Sequence, residues 1–443
     1  MEFINKTIIR GEKTDLDNIR KVLGALGDPH LKIKTVHITG TNGKGSTAAF
    51  AASILTELGY KTGLFTSPHL IDVRERIKVG GENIGRQEFC AAVGSAAAAY
   101  EALKIEPSFF ELMLVVASLY FYAEKCDFVI AEVGIGGRLD STNVLNGAVC
   151  SITGVDFDHI EYLGGTLREI AREKTAIVKP GSVLTVNVED DGLYDFIEKE
   201  AFERKAARVT RTGDSVGGRV LSVNTGGTDF VIDSPSLKEK RFHVPLIGDY
   251  QFQNARCAIG IIEELQTAGL IKIDCESVER GFVKTFWPGR FELFKKDGAF
   301  IVLDGAHNVN GMTGFVRNLK TLFGGLKIRA IISILSNKQY DQMLGIISGA
   351  VDELIIVGIN NIKKKSVEVN SLVENAKKYH DNVICLSDVK TALQYVSKSG
   401  NFDLSCVTGS LYLVGEARER LLSRSGRYAG KVECVNYESC FKA

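Results

Sequence analysis

Residues 36–47, VHITGTNGKGST, constrain this chain more than any other stretch. Val36 to Thr39 read as a short buried strand. Gly40 to Gly45 read as a glycine-rich turn carrying one lysine, Lys44, and the alanine-rich run from Ser46 reads as a helix. A strand that enters a helix through a glycine turn gathers backbone N–H groups and the positive end of a helix dipole around one point, a cradle for phosphate. Lys44 adds a point charge, and Ser46 or Thr47 offers a hydroxyl to Mg²⁺. Gly45 separates Lys44 from Ser46, so the spelling departs from GxxxxGK[ST]. The competing reading is a glycine-rich turn with a surface lysine.

A chain of 443 residues, 45% hydrophobic, has ample length for a sizeable core and for two to three domains. Its formal net charge of +0 argues against broad attraction to nucleic acid or to a membrane surface. Nine scattered cysteines without a CxxC pair fit a reduced, cytoplasmic protein better than a disulfide or zinc framework. The N-terminal MEFINKTIIRGEKTD has no apolar signal core, and no apolar run reaches membrane-spanning length.

In chain order, residues 15–27 have helical apolar spacing and stop at Gly27-Asp28-Pro29. Lys61–Thr66 reads as a strand running into a polar loop with Pro68. Residues 86–103 and 108–124 read as helices, the second apolar on most faces despite Glu111. That glutamate has two open readings, a helix start favoured by the dipole or a substrate contact. Residues 127–134 read as a buried strand ending in Glu132, where a Mg²⁺-organising acid belongs. GIGGRLDSTNV follows. It resembles a dinucleotide fingerprint, but Leu139 stands where the third glycine should be and no helix pattern follows, which argues against NAD. A strand over 148–153 leads to Asp156, Asp158 and His159, and a helix carries Lys174 near its end, where a lysine can simply complement the dipole. Residues 219–234 read as a hairpin around Gly226-Gly227, and a helix with Gln251 and Asn254 near its start comes next. WPGRFELF reads as a connector, and from about 297 strands and helices alternate as a second, mostly parallel α/β unit whose first strand ends in Asp304, Gly305, His307 and Asn308. KKK at 363–365 reads as a solvated loop.

Taken together, HITGTNGKGS, LFTSPHL with RERI, FFE, AEVGIGGRLDSTNV, DHIEYLGGTLREIAREKTAIVKPG, GDYQFQNA, WPGRFE, LDGAHN and TGSLYLVGEAR stand in an order that resembles the folylpolyglutamate synthase and dihydrofolate synthase family, a branch of the Mur ligases. The resemblance implies an α/β fold: a P-loop ATPase domain over 1–286, a linker over 287–296, and a smaller Rossmann-like domain over 297–443. It implies ATP-dependent addition of L-glutamate to folate or dihydropteroate through an acyl phosphate, with small molecules as the partners and a monomeric state. Thr41, Asn42, Gly43, Lys44, Gly45 and Ser46 would hold the phosphates, and Asn254, Arg290 and Asp304 would complete the ATP contacts. Ser67, Glu132 and His159 would ligate Mg²⁺. Lys174 matches a lysine carbamylated in the family, a ligand for a second Mg²⁺. Lys44, His159, Lys174 and His307 would be catalytic, and Phe109, Glu111, Arg138 and Asp140 would meet the folate. The split of these residues between two domains makes closure part of the implied mechanism.

The chain departs from the family pattern in GDYQ, where Tyr250 replaces a frequent histidine, in HNV, and in SNKQ at 336–339 where acids are common. The alternatives are a muropeptide ligase, disfavoured because so few residues precede Gly40, and a non-catalytic nucleotide-binding protein of the same fold.

Overall fold

Short runs of β-branched and aliphatic residues, each followed by a helix-spaced segment, set the alternation expected of a doubly wound sheet. The computed structural model describes Thr7 and residues 15–296, 299–359, 366–398, 401–423 and 433–434. The basic run at 363–365, the tail after 424 and most of the first 14 residues lie outside these. The chain divides into two compact units, one of residues 1–219, 230–243 and 252–285, the other of 220–229, 244–251 and 286–443.

The first unit holds strands β1 (Lys34–Thr39), β2 (Thr62–Phe65), β3 (Ile77–Val79), β4 (Glu82–Asn83), β5 (Phe128–Glu132), β6 (Gly147–Ile152), β7 (Val183–Val186) and β8 (Arg208–Arg211). They form one sheet in the order β4-β3-β2-β5-β1-β6-β7-β8. Pairing is parallel from β2 to β8 and antiparallel at β3 and β4. Five of the six β1 residues are buried, as a central strand requires.

Helix α1 (Asp17–Ala25) packs Ile19, Val22 and Leu23 into the core. Helix α2 (Lys44–Glu57) follows the glycine turn, and its alanines let it lie buried along most of its length. Helices α3 (Arg86–Ala102) and α4 (Phe109–Ala123) cover one sheet region, α4 with a mostly buried apolar surface. Helix α5 (Leu167–Thr175) carries Lys174 near its end, and α6 (Asp191–Glu203) follows. Strands β9 (Gly217–Asn224), β10 (Gly227–Asp233) and β11 (Lys240–Val244) form a three-stranded sheet, with β9 and β10 joined at Thr225-Gly226 as the hairpin pattern predicts. Helix α7 (Tyr250–Thr267) and helix α8 (Cys275–Lys284) complete this part. On α8, Gly281 permits contact with α2: a Cβ there would sit 2.6 Å from the Ile54 Cα.

The second unit has strands β12 (Glu292–Lys296), β13 (Ala299–Leu303), β14 (Ile328–Ile332), β15 (Glu353–Val357), β16 (Val383–Leu386), β17 (Leu404–Thr408) and β18 (Glu433–Cys434), in the order β16-β15-β14-β17-β13-β12-β18. Strands β13 to β17 pair in parallel. Helices α9 (Val309–Phe323), α10 (Tyr340–Ser348), α11 (Val369–Ala376), α12 (Val389–Lys398) and α13 (Leu411–Leu422) connect or follow them.

One expectation needs correction. Residues 287–296 read as a linker, yet Glu292–Lys296 pair antiparallel with β13 along its full length. Leu293 and Phe294 are buried in this strand, and the carboxylate of Glu292 accepts from Gly289 N and from Arg418 Nε. Two buried apolar side chains outweigh the turn signal of Trp-Pro-Gly, which ends before them.

Candidate active site

The phosphate cradle forms because Gly43 takes a conformation other residues resist. Its φ is 84°, and a Cβ there would lie 2.3 Å from Asn254 Oδ1. Gly43 caps α2 without a side-chain bond, and the first intrahelical donor is Thr47 N, 2.9 Å from Gly43 O. The helix therefore begins at Lys44, two residues earlier than its alanine run suggests, and Gly45 and Ser46 lie in its first turn. The N–H groups of such a turn have no intrahelical acceptor and favour an anion. The loop is tied to the end of β6: Thr41 N donates to Gly154 O, Thr41 Oγ1 accepts from Asp156 N at 2.9 Å, and Thr153 Oγ1 donates to Asn42 O at 2.6 Å. Thr47 Oγ1 donates to Asn254 O, which places the start of α7 against the cradle. Lys44 Nζ curls over the loop, donating to Gly40 O at 2.9 Å and Thr41 O at 3.1 Å.

The neighbouring strand ends supply carboxylate, hydroxyl and imidazole. Glu132, the last residue of β5, is in register with Ile38 of β1 and is buried. Its Oε2 accepts from Ser67 N at 3.0 Å, at the cis Ser67-Pro68 bond after β2. Beyond β6, Asp158 Oδ1 accepts from His159 N at 2.9 Å, and His159 has a left-handed φ of 51° that turns the chain into the next short helix. No group of three His, Cys, Asp or Glu side chains is gathered for a metal among the described residues. One buried carboxylate with a hydroxyl nevertheless suits Mg²⁺, which keeps water and takes substrate phosphates as ligands.

Lys174, at the end of α5, is 2% exposed. Burial, and then the Lys44 ammonium, lowers its pKa to about 7, with Asp158 and Glu173 opposing both. Burial and the Lys44 charge both favour the uncharged amine. Asp158 and Glu173 are not among the expected site residues; the Asp-x-Asp-His spelling and the acid beside Lys174 are the sequence signals that point to them.

Around the loops expected to meet the folate, the structure separates candidates. The Phe109 ring faces the Arg76 guanidinium at 5.2 Å, and Arg76 Nε donates to His69 Nδ1 at 2.9 Å. Burial, and then Arg76, lowers the His69 pKa to about 4. Arg76 and His69 stand within RERI and LFTSPHL, where the spelling alone does not announce their pairing. Arg138 is exposed and its Nε donates to Glu173 Oε1 at 2.8 Å.

Two expected folate contacts, Glu111 and Asp140, are held within their own segments. Glu111 is buried in a capping box, its N–H donating to Ser108 Oγ and its Oε2 accepting from Ser108 N at 2.7 Å. This geometry supports the helix-start reading of the two. Asp140 turns inward, accepting from Ile135 N, Thr142 N and Thr142 Oγ1. Both carboxylates are held by otherwise unsatisfied amides of their own segments.

The second unit gathers three more expected residues. Asp304, at the end of β13, accepts from Phe291 N and Ala306 N, each at 2.8 Å. Burial raises its pKa and the Arg290 guanidinium opposes the rise. Arg290 donates to Gly289 O, and His307 Nδ1 lies 2.8 Å from Gly305 O. Tyr250 senses the charges of both Asp304 and Arg290, so it belongs to this cluster.

Residues 38–262 match the Mur ligase middle domain, and residues 289–411 match the Mur ligase glutamate ligase domain. The dihydrofolate synthase/folylpolyglutamate synthase of Bacillus subtilis (strain 168) is 34% identical over 421 residues, covering 93% of this chain and 96% of that protein. This chain belongs to that family. Among solved structures, the folylpolyglutamate synthase of Thermotoga maritima superposes with a TM-score of 0.81 at 31% identity, covering 94% of each chain. A bifunctional folylpolyglutamate synthase/dihydrofolate synthase with Mn, AMPPNP and L-glutamate bound gives a TM-score of 0.80 at 25% identity, covering 93% of this chain and 95% of its own. As a folylpolyglutamate/dihydrofolate synthase, the chain is an ATP-dependent ligase that joins glutamate to a folate-type acid, in a family that works with a nucleotide and a divalent metal. Among the described residues no helix is long and apolar enough to cross a membrane, and the described cysteines are free thiols.

Proposed function

We propose that this ligase serves both dihydropteroate and tetrahydrofolate, activating the acceptor carboxylate as an acyl phosphate. A carboxylate oxygen attacks the γ-phosphorus of ATP, and the bond from that phosphorus to the ADP oxygen breaks. The deprotonated amine of L-glutamate then attacks the acyl carbon. The amide forms and phosphate leaves with the former carboxylate oxygen. Such chemistry asks the protein for positioning and charge stabilisation.

The first-turn amides of α2 and the Lys44 ammonium receive the phosphates, Lys44 leaving the Gly40 and Thr41 carbonyls to do so. Thr41, Asn42 and Asn254 shape the cradle. Arg290, Asp304 and His307 serve the nucleotide and its transferred phosphate. Phe109 and Arg138 face the acceptor. Ser67, Glu132 and His159 would hold Mg²⁺, and a carbamate on Lys174 would hold a second. Bound there, the ions neutralise phosphate charge.

The observation that carries the second-metal part of this reading is the burial of Lys174, 2% exposed at the end of α5, where burial and the Lys44 charge both favour the neutral amine. A neutral amine adds to CO₂: an N–C bond forms, a proton leaves, and two oxygen donors replace a cation. A lysine that merely complements a helix end has no need of such burial. Lys174→Ala is expected to lower turnover about a hundredfold, the scale of losing one charge-stabilising group. Formate or acetate should restore part of it, and ¹³C-bicarbonate should give a carbamate resonance in the native protein alone. Unchanged turnover in the variant removes the second-metal role.

A further inference from the structure

His37 lies in the middle of β1, fully buried, and takes no part in the chemistry above. It faces the segment 134–143, which carries Arg138. His37 Nε2 is 2.9 Å from Thr142 Oγ1. Thr142 has one hydroxyl proton, directed to Asp140 Oδ1 at 2.5 Å. Its oxygen therefore accepts from His37 Nε2–H, which sets the imidazole tautomer. Asp140 in turn accepts from Thr142 N and Ile135 N, each at 3.0 Å. A hydrogen-bonded line thus runs from the central strand through one hydroxyl and one carboxylate to the backbone where the segment leaves β5.

Two further ties hold the same segment. Thr39 Oγ1 donates to Gly136 O at 2.6 Å. Lys179 Nζ donates to Asn143 Oδ1, and Asn143 Nδ2 donates to Arg138 O at 2.9 Å. Above them, Arg138 N donates to Glu173 O. Three lines fix a segment that also meets the last turn of α5 beside Lys174.

His37 Nδ1 is buried with no hydrogen-bond partner. Burial, and then the Lys179 charge, lowers the His37 pKa to about 3. The ring thus stays a neutral, one-way donor, and a second N–H would find no acceptor.

We propose that His37 is a positioning residue for acceptor binding: through Thr142 and Asp140 it holds residues 134–143 in the conformation that presents Arg138. This rests on the reading of Arg138 as an acceptor contact. Three variants test it, with KM measured for tetrahydrofolate and for ATP and amide hydrogen exchange followed over residues 134–142. His37→Leu removes the donor, Thr142→Val removes the relay, and His37→Gln keeps an N–H at the position of Nε2. The Leu and Val variants should raise the KM for tetrahydrofolate about tenfold, leave the KM for ATP within about twofold, and speed exchange across the segment. The Gln variant should stay within about threefold of the native protein in all three. Equal behaviour of the Leu and Gln variants, or unchanged exchange in the Leu and Val variants, would overturn the proposal. Faster exchange with an unchanged tetrahydrofolate KM would support the tether and instead overturn Arg138 as an acceptor contact.

Discussion

Lys44→Ala is expected to lower kcat/KM about a thousandfold or more while leaving the fold intact. The Lys44 ammonium donates to the carbonyls of Gly40 and Thr41, both on its own loop. Solvent can replace those bonds, so the stability cost is on the order of 1 kcal/mol, and the melting temperature should move by only a few degrees. The catalytic loss is larger because the group acts where charge develops during phosphoryl transfer. Lys44→Arg should not restore activity, since the planar guanidinium cannot follow the same path over a glycine turn closed by Asn254. Coupled ADP-release assays and thermal melts on both variants provide the test. Turnover within tenfold of the native protein in Lys44→Ala would contradict the cradle.

Glu132→Ala and Glu132→Gln should both lose about a thousandfold in turnover yet differ in stability. Glu132 Oε2 accepts from Ser67 N within a buried setting. Alanine leaves that N–H without its acceptor, a cost of roughly 1–3 kcal/mol. Glutamine keeps an amide oxygen for Ser67 N and should melt close to the native temperature. It lacks the negative charge that a divalent cation requires, so its activity should stay as low as that of alanine, with a raised Mg²⁺ requirement at most partly restoring it. An active Glu132→Gln would show that the carboxylate serves the Ser67 turn alone.

Much of this architecture follows from local patterns. The glycine turn at 40–45, the buried runs at 36–39 and 128–132, and the alternation after 299 each state their own secondary structure through period and length. Most helix and strand limits lie within a residue or two of the pattern, α2 among them, where Gly43 and not the alanine run decides the start. Strand β12 was hidden because its pairing with β13 is a tertiary fact, and Trp-Pro-Gly announced a turn just before it.

The site was legible in part. Lys44, Glu132 and Lys174 stand at chain positions where strand ends and helix ends must lie, so their placement could be read from the pattern. Glu111 and Asp140 could not be sorted this way, because a carboxylate that caps its own segment and one that meets a ligand are spelled alike. His37 carried no signal at all, since its partner Thr142 lies 105 residues away. The environment of Lys174 was equally hidden: only folding brings Lys44, Asp158 and Glu173 close enough to bias its charge.

The acyl phosphate is tested most directly by the fate of one oxygen. Tetrahydrofolate labelled with ¹⁸O in its reacting carboxylate is turned over with ATP and L-glutamate, and the released phosphate is analysed by mass. One ¹⁸O atom per phosphate, in step with amide formation and dependent on both acceptor and glutamate, is the predicted result. Unlabelled phosphate accompanying amide formation would show that the carboxylate never bonded to phosphorus, and would contradict the mechanism.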